Sequence, residues 1–262
     1  MKSYISINVA IFILFHLIAL GIFFVPFSWH YVFVAVASYY SRMFFVTAAY
    51  HRYFSHRSFK AGRIFQFVMA FLAMTSSQKG VLWWASHHRQ HHQYSDRDED
   101  VHSPHHGWWW SHIGWFLSDR FNETDGSKIQ DFYKYPELRW LDRHWTLPVW
   151  AYAGVLYLLG GWPYILWGFF LATVLLWHGT FTINSVAHLW GTRRYNTKDD
   201  SRNNFLLALI TLGEGWHNNH HRFPGAVKSG IRWWEVDLTF HGLQFLSWMK
   251  IVSLRSKGSR SA

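Results

Sequence analysis

The chain has 262 residues, half of them apolar and 21% aromatic, with a formal net charge of +10. That length suits one sizeable unit, and no linker divides it, so residues 1–262 read as a single domain. There is no cysteine, which excludes disulfides, cysteine zinc sites, iron–sulfur clusters and thiolate haem; any metal must be held by His, Asp, Glu, carbonyl or water.

Residues 5–26 carry no charge and are long enough to cross a bilayer at about 1.5 Å per residue. No small-residue cleavage site follows, so a retained helix is expected. A second apolar run, 31–50, holds one charge, Arg42, which must face protein or water or mark where the helix leaves the hydrocarbon. The basic HRYFSHR that follows places that end in the cytoplasm, and the N-terminus with it. Residues 64–77 are apolar but short, which fits an interfacial or re-entrant helix. Residues 78–146 are polar and dense in His, Trp and Asp. Residues 147–188 are apolar but broken by Gly160, Gly161 and Pro163, the pattern of a helical hairpin running out over about 146–160 and back over about 163–188. The remainder is charged, and its end, KGSRSA, is expected to be disordered. The predicted fold is an all-α integral membrane protein. Four spans (5–26, 31–50, 146–160, 163–188) carry a cytoplasmic helical cap made of 51–145 and 189–262. The cations are scattered through His- and Trp-rich loops beside the spans and form no nucleic-acid motif.

The nineteen histidines are grouped. His51 and His56 form an HxxxxH at the end of the second run; His88, His91 and His92 form an HxxHH; His217, His220 and His221 form another. Residues i, i+3 and i+4 share a helix face, so each HxxHH aims three imidazoles at one place. Five residues on a regular helix diverge by about 140°, so His51 and His56 either serve different metals or the helix unwinds between them. Eight imidazoles exceed the needs of one ion and point to two; imidazole suits Fe, Zn, Cu or Ni. His16, His30, His144 and His241 stand alone and read as structural. His87, His102, His105, His106 and His112 share a loop region with the second group. Glu99–His102 and Glu214–His217 have Glu-x-x-His spacing, but Glu99 lies in an acidic loop, and Glu214 is better placed to orient a histidine than to bridge metals.

HRYFSH, HRQHH and HNNHH, with Asn184–Gly191 (NSVAHLWG), Gly213–His217 (GEGWH) and Gly107–Trp115 (GWWWSHIGW), resemble the membrane fatty acyl desaturases, specifically the delta-9, stearoyl-CoA type in a bacterial-like branch. The resemblance covers about 42–224. It implies two Fe ions held by His51, His56, His88, His91, His92, His188, His217, His220 and His221, with Asn184 acting through a water. It also implies a bent acyl tunnel near Gln78, Trp84 and Thr180. The activity implied is O2-dependent: two external electrons are taken, and two neighbouring hydrogens leave a long saturated chain to give a cis double bond, at delta-9 by the resemblance. The chain departs from acyl-CoA members at Ser86-His87 and His105-His106, where those carry charged CoA-binding residues. This favours a lipid- or carrier-linked acyl chain over a CoA thioester. Electrons are expected from a separate ferredoxin, rubredoxin or cytochrome b5, and the location is expected to be a bacterial inner membrane. A histidine-rich hydroxylase and a non-catalytic membrane metal binder are the competing readings.

Overall fold

The structure is a computed structural model that describes residues 6–254; Lys2 and the KGSRSA end lie outside them. Helix α1 (Ile7–Phe24) is apolar on every side, and Leu17 and Phe24 point outward, an arrangement that suits hydrocarbon. Helix α2 (Trp29–Ser55) starts at Ser28, whose hydroxyl accepts from the His30 N–H at 3.2 Å. Its last ten residues, Val46–Ser55, wind as a buried π-helix, so it runs past the expected end at 50 and carries His51 within it.

After β1 (Phe59–Ala61) come α3 (Arg63–Met74), α4 (Val81–Tyr94) and α5 (Pro136–Arg143). Helix α4 begins after Gly80 and has no cap of its own. The Asp142 carboxylate of α5 accepts the Leu82 and Trp83 N–H groups at 2.8 and 3.2 Å, and a Cβ on Gly80 would strike it.

Helix α6 spans Thr146–Leu189 but is not straight. Gly160 and Gly161 leave helical torsions, Gly161 at φ +63°, where glycine is favoured. Trp150 and Phe169 would stand about 28 Å apart on a straight helix; their ring centroids are 6.1 Å apart. The two arms therefore run antiparallel, as the Gly-Gly-x-Pro punctuation predicts. By length and composition, α1, α2 and α6 are the helices able to cross a membrane among the described residues.

Arg42 is buried among these helices. Its guanidinium donates to the carbonyls of Ser38, Thr75 and Gly168 and to the Thr173 hydroxyl (2.6 Å), and it lies 5.0 Å over the Tyr152 ring. It faces protein, and it ties α2, the end of α3 and both arms of α6. The rest of the chain packs as short helices, α7 (Phe205–Ile210), α8 (His217–Arg222) and α9 (Leu238–Trp248), and β2 (Val252–Leu254) returns to pair antiparallel with β1.

Candidate metal centre

The three histidine groups converge. One cluster brings together His51, His56, His88, His92 and His220; a second brings together His91, His188, His217 and His221. Each HxxHH divides between the clusters: α4 gives His88 and His92 to the first and His91 to the second, while α8 gives His220 to the first and His217 and His221 to the second. These two all-histidine groups could each hold an ion; a third, smaller group joins His91 with Asp100 and His102.

His51 and His56 share one cluster, and the π-helix is the reason. Its i→i+5 hydrogen bonding (His56 N–H to His51 carbonyl, 3.2 Å) puts residues five apart on one face, and the rings lie 4.8 Å apart between centroids. The divergence expected of a regular helix is absent because the helix is not regular there.

Carboxylates fix several rings. Nδ1 of His91 meets Asp100 at 2.9 Å, Nδ1 of His188 meets Asp96 at 3.0 Å, Nδ1 of His221 meets Asp199 at 2.9 Å, and Nδ1 of His51 meets Glu214 at 2.5 Å. Each carboxylate accepts a hydrogen bond from the Nδ1–H, which leaves Nε2 as a lone pair. The Nε2 atoms of His91 and His221 nevertheless face each other at 3.4 Å. Two lone pairs at that separation repel unless a proton or a metal ion lies between them, and a nest of four imidazoles fits a metal ion. Burial, then the neighbouring imidazoles, holds His56, His88, His92, His217, His220 and His221 well below the usual histidine range. The neutral form that binds metal is therefore the one present at neutral pH. Burial alone would raise the Glu214 carboxyl, but His51 and Arg52 beside it bring it down to about 2. Arg52 donates to Glu214 at 2.8 Å and pairs with Asp237 at 3.0 Å.

Glu214 orients His51 rather than His217, three residues along. Glu99 is exposed and joins neither cluster. The acidic loop that carries Glu99 also supplies Asp96 and Asp100, which are buried ring holders. His16 is not alone: its Nε2 faces Nε2 of His178 at 3.1 Å, and Nδ1 of His178 faces Nε2 of His112 at 3.0 Å, linking α1, α6 and the cap. His178 carries no sequence spacing that would single it out.

Beside the clusters lies an open, largely apolar cavity lined by α1, α4, α6, the turn before α4 and His102, Trp115 and Phe116 of the cap. Gln78, Trp84 and Thr180 meet on its wall: the Trp84 indole N–H donates to Gln78 at 3.4 Å, the Gln78 amide donates to Thr180 at 3.0 Å, and Trp84 stacks on His88. Asn184 lines this cavity and also a smaller one bordered by His51, His88, His91 and His217.

Residues 7–244 match the model of the fatty acid desaturase family. The chain belongs to that family. An sn-2 palmitoyl-lipid 9-desaturase of Nostoc sp. (strain 36) is 39% identical over 223 residues, 82% of this chain and 78% of that protein. An acyl-CoA C20 Delta5-desaturase of Anemone leveillei is 36% identical over 231 residues, 87% and 74% of the two chains. A palmitoyl-monogalactosyldiacylglycerol delta-7 desaturase of Arabidopsis thaliana is 37% identical over 224 residues, 84% and 60%. This desaturase is thus an oxidoreductase of acyl chains, and its relatives' names span three bond positions and several headgroups.

Proposed function

We propose that this desaturase introduces a cis double bond, at the delta-9 position, into a long saturated acyl chain linked to lipid or carrier. The observation that carries this reading is the pair of imidazole clusters beside an apolar cavity, with His88 stacked on the cavity's own Trp84. The proposed ligands are His51, His56, His88, His91, His92, His188, His217, His220 and His221, with Asn184 acting through a water. Two bound irons would supply the reduction of O2 and the removal of hydrogen from two neighbouring methylenes.

The chain's own residues do the rest. Trp84, Gln78 and Thr180 hold the acyl chain in one register, because the bond position is a matter of geometry. Asp96, Asp100, Asp199 and Glu214 keep the rings in one tautomer. The two arms of α6 act as separate crossings, giving four spans in a bacterial inner membrane with the clusters and both termini in the cytoplasm. Electrons arrive from a separate ferredoxin, rubredoxin or cytochrome b5.

Expression in a host with a simple saturated lipid profile, followed by double-bond localisation by mass spectrometry, tests the reading. A new cis-9 monoene is expected. A hydroxylated chain without an alkene would overturn it, and an alkene at another position would overturn the delta-9 assignment.

A further inference from the structure

Gln78 reaches the large cavity from the turn between α3 and α4, and the backbone of that turn is strained. Ser77 at φ +59° and Lys79 at φ +63° lie in the left-handed region on either side of Gln78. Side chains with a Cβ crowd the backbone there, and neither Ser nor Lys tolerates the region as Gly or Asn does. Such backbone persists only where its surroundings over-determine it, and it gathers at functional sites.

The surroundings that hold this turn can be named. The Trp177 indole N–H donates to the carbonyls of Ser76 and Ser77 at 3.1 and 3.2 Å, and the Tyr50 hydroxyl donates to the carbonyl of Lys79 at 2.6 Å. The carbonyls before and after Gln78 are thus tied to α6 and α2, the helices that also carry His188 and His51. Trp177 stands on the cavity wall. Tyr50 stands behind the wall, fully buried, with its ring stacked on Trp84 at 5.4 Å. The Gln78 side chain has one orientation to take. The Thr180 hydroxyl donates to the Leu176 carbonyl at 3.0 Å and so turns its oxygen to the Gln78 amide, while the Trp84 N–H meets the Gln78 carbonyl. Backbone and side chain together fix where Gln78 lies relative to the nests, and a displacement of about 1 Å at a reacting group can cost about a hundredfold in rate.

We propose that Tyr50 and Trp177 are positioning residues that set the double-bond position, by clamping the strained turn and with it Gln78 at a fixed place relative to the nests. The assignment rests on the acyl-desaturase reading and deepens it. Loosening the clamp lets the acyl chain settle with a neighbouring pair of methylenes facing the nests, so it changes which bond is made. The full chain, reconstituted with an electron donor and a saturated acyl lipid, is assayed by mass spectrometry for the share of product at each bond position. Tyr50→Phe keeps the ring and its stack on Trp84 and removes only the donor. The share at a neighbouring position should rise about fivefold relative to the main one, as one lost buried hydrogen bond allows, with metal per chain unchanged. Adding Lys79→Asn, a residue type at ease in the left-handed region, should bring that share back down. Should Tyr50→Phe lose metal through its neighbour His51, Trp177→Phe, which frees the other side of the turn, is read for the same rise. An unchanged product distribution in whichever variant keeps its metal, or a rise in Tyr50→Phe that Lys79→Asn does not reverse, overturns the positioning role. An absence of any desaturated product from the unaltered chain overturns the underlying reading instead.

Discussion

In the cluster of His91, His188, His217 and His221, three of the four rings are held by carboxylates, Asp100, Asp96 and Asp199; in the five-ring cluster only His51 has one, Glu214. The five-ring cluster relies on backbone instead. Its His51 and His56 are aligned by a buried π-helix, and its His88 is wedged against Trp84. One nest is set by hydrogen bonds to carboxylates on loops, the other by helix geometry and packing. The difference teaches that similar donor sets can be organised by unrelated means, and that the two nests should fail under different substitutions.

The heaviest blow to the five-ring nest is His220→Ala. His220 Nε2 faces both His51 and His92 at 3.0 Å, so its loss should abolish turnover and lower the metal content of a chain that still inserts. Retained activity would remove His220 from the ligand set. Next is Arg52→Leu, which leaves Glu214 and Asp237 buried without their shared cation. Thermal unfolding should show a loss of about 3–5 kcal/mol, and a loss under about 1 kcal/mol would mean that the network does not depend on Arg52.

Asp100→Asn separates the nests. Removing a carboxylate behind a ligating ring typically weakens metal binding by about 10–100-fold. Titration with a chelator should strip the four-ring nest first and leave the other loaded; simultaneous loss from both would show that they are not held independently. Glu214→Gln should reverse the order. The smallest effect on the metal should come from Arg42→Ala. Its partners are all neutral and lie away from the rings, so yield and thermal stability should fall while metal per folded chain stays constant. A selective loss of metal would contradict that placement.

What could be read in advance follows the same division. The two HxxHH groups were legible because i, i+3, i+4 spacing is a local property of any helix. The α6 reversal was legible because Gly160, Gly161 and Pro163 act locally too. The alignment of His51 with His56 was not, since a π-helix ten residues long is imposed by the packing around Val46–Ser55, all of it buried. Nor were the aspartates, although Glu214 was: Asp96 reaches His188 across 92 residues and Asp199 reaches His221 across 22, far beyond any helical spacing. The acidic run around Asp96 and Asp100 has no helical pattern, and only tertiary contact turns it inward. Arg42 has two readings in the sequence, and only its four acceptors, drawn from distant segments, show that it faces protein.

The most direct test is the metal content of the purified full chain, measured by elemental analysis together with iron-specific spectroscopy. With two nests of four and five imidazoles, the account predicts about two irons per chain, one in each nest. A single tightly held ion, or two zincs in a chain that still desaturates, would contradict it.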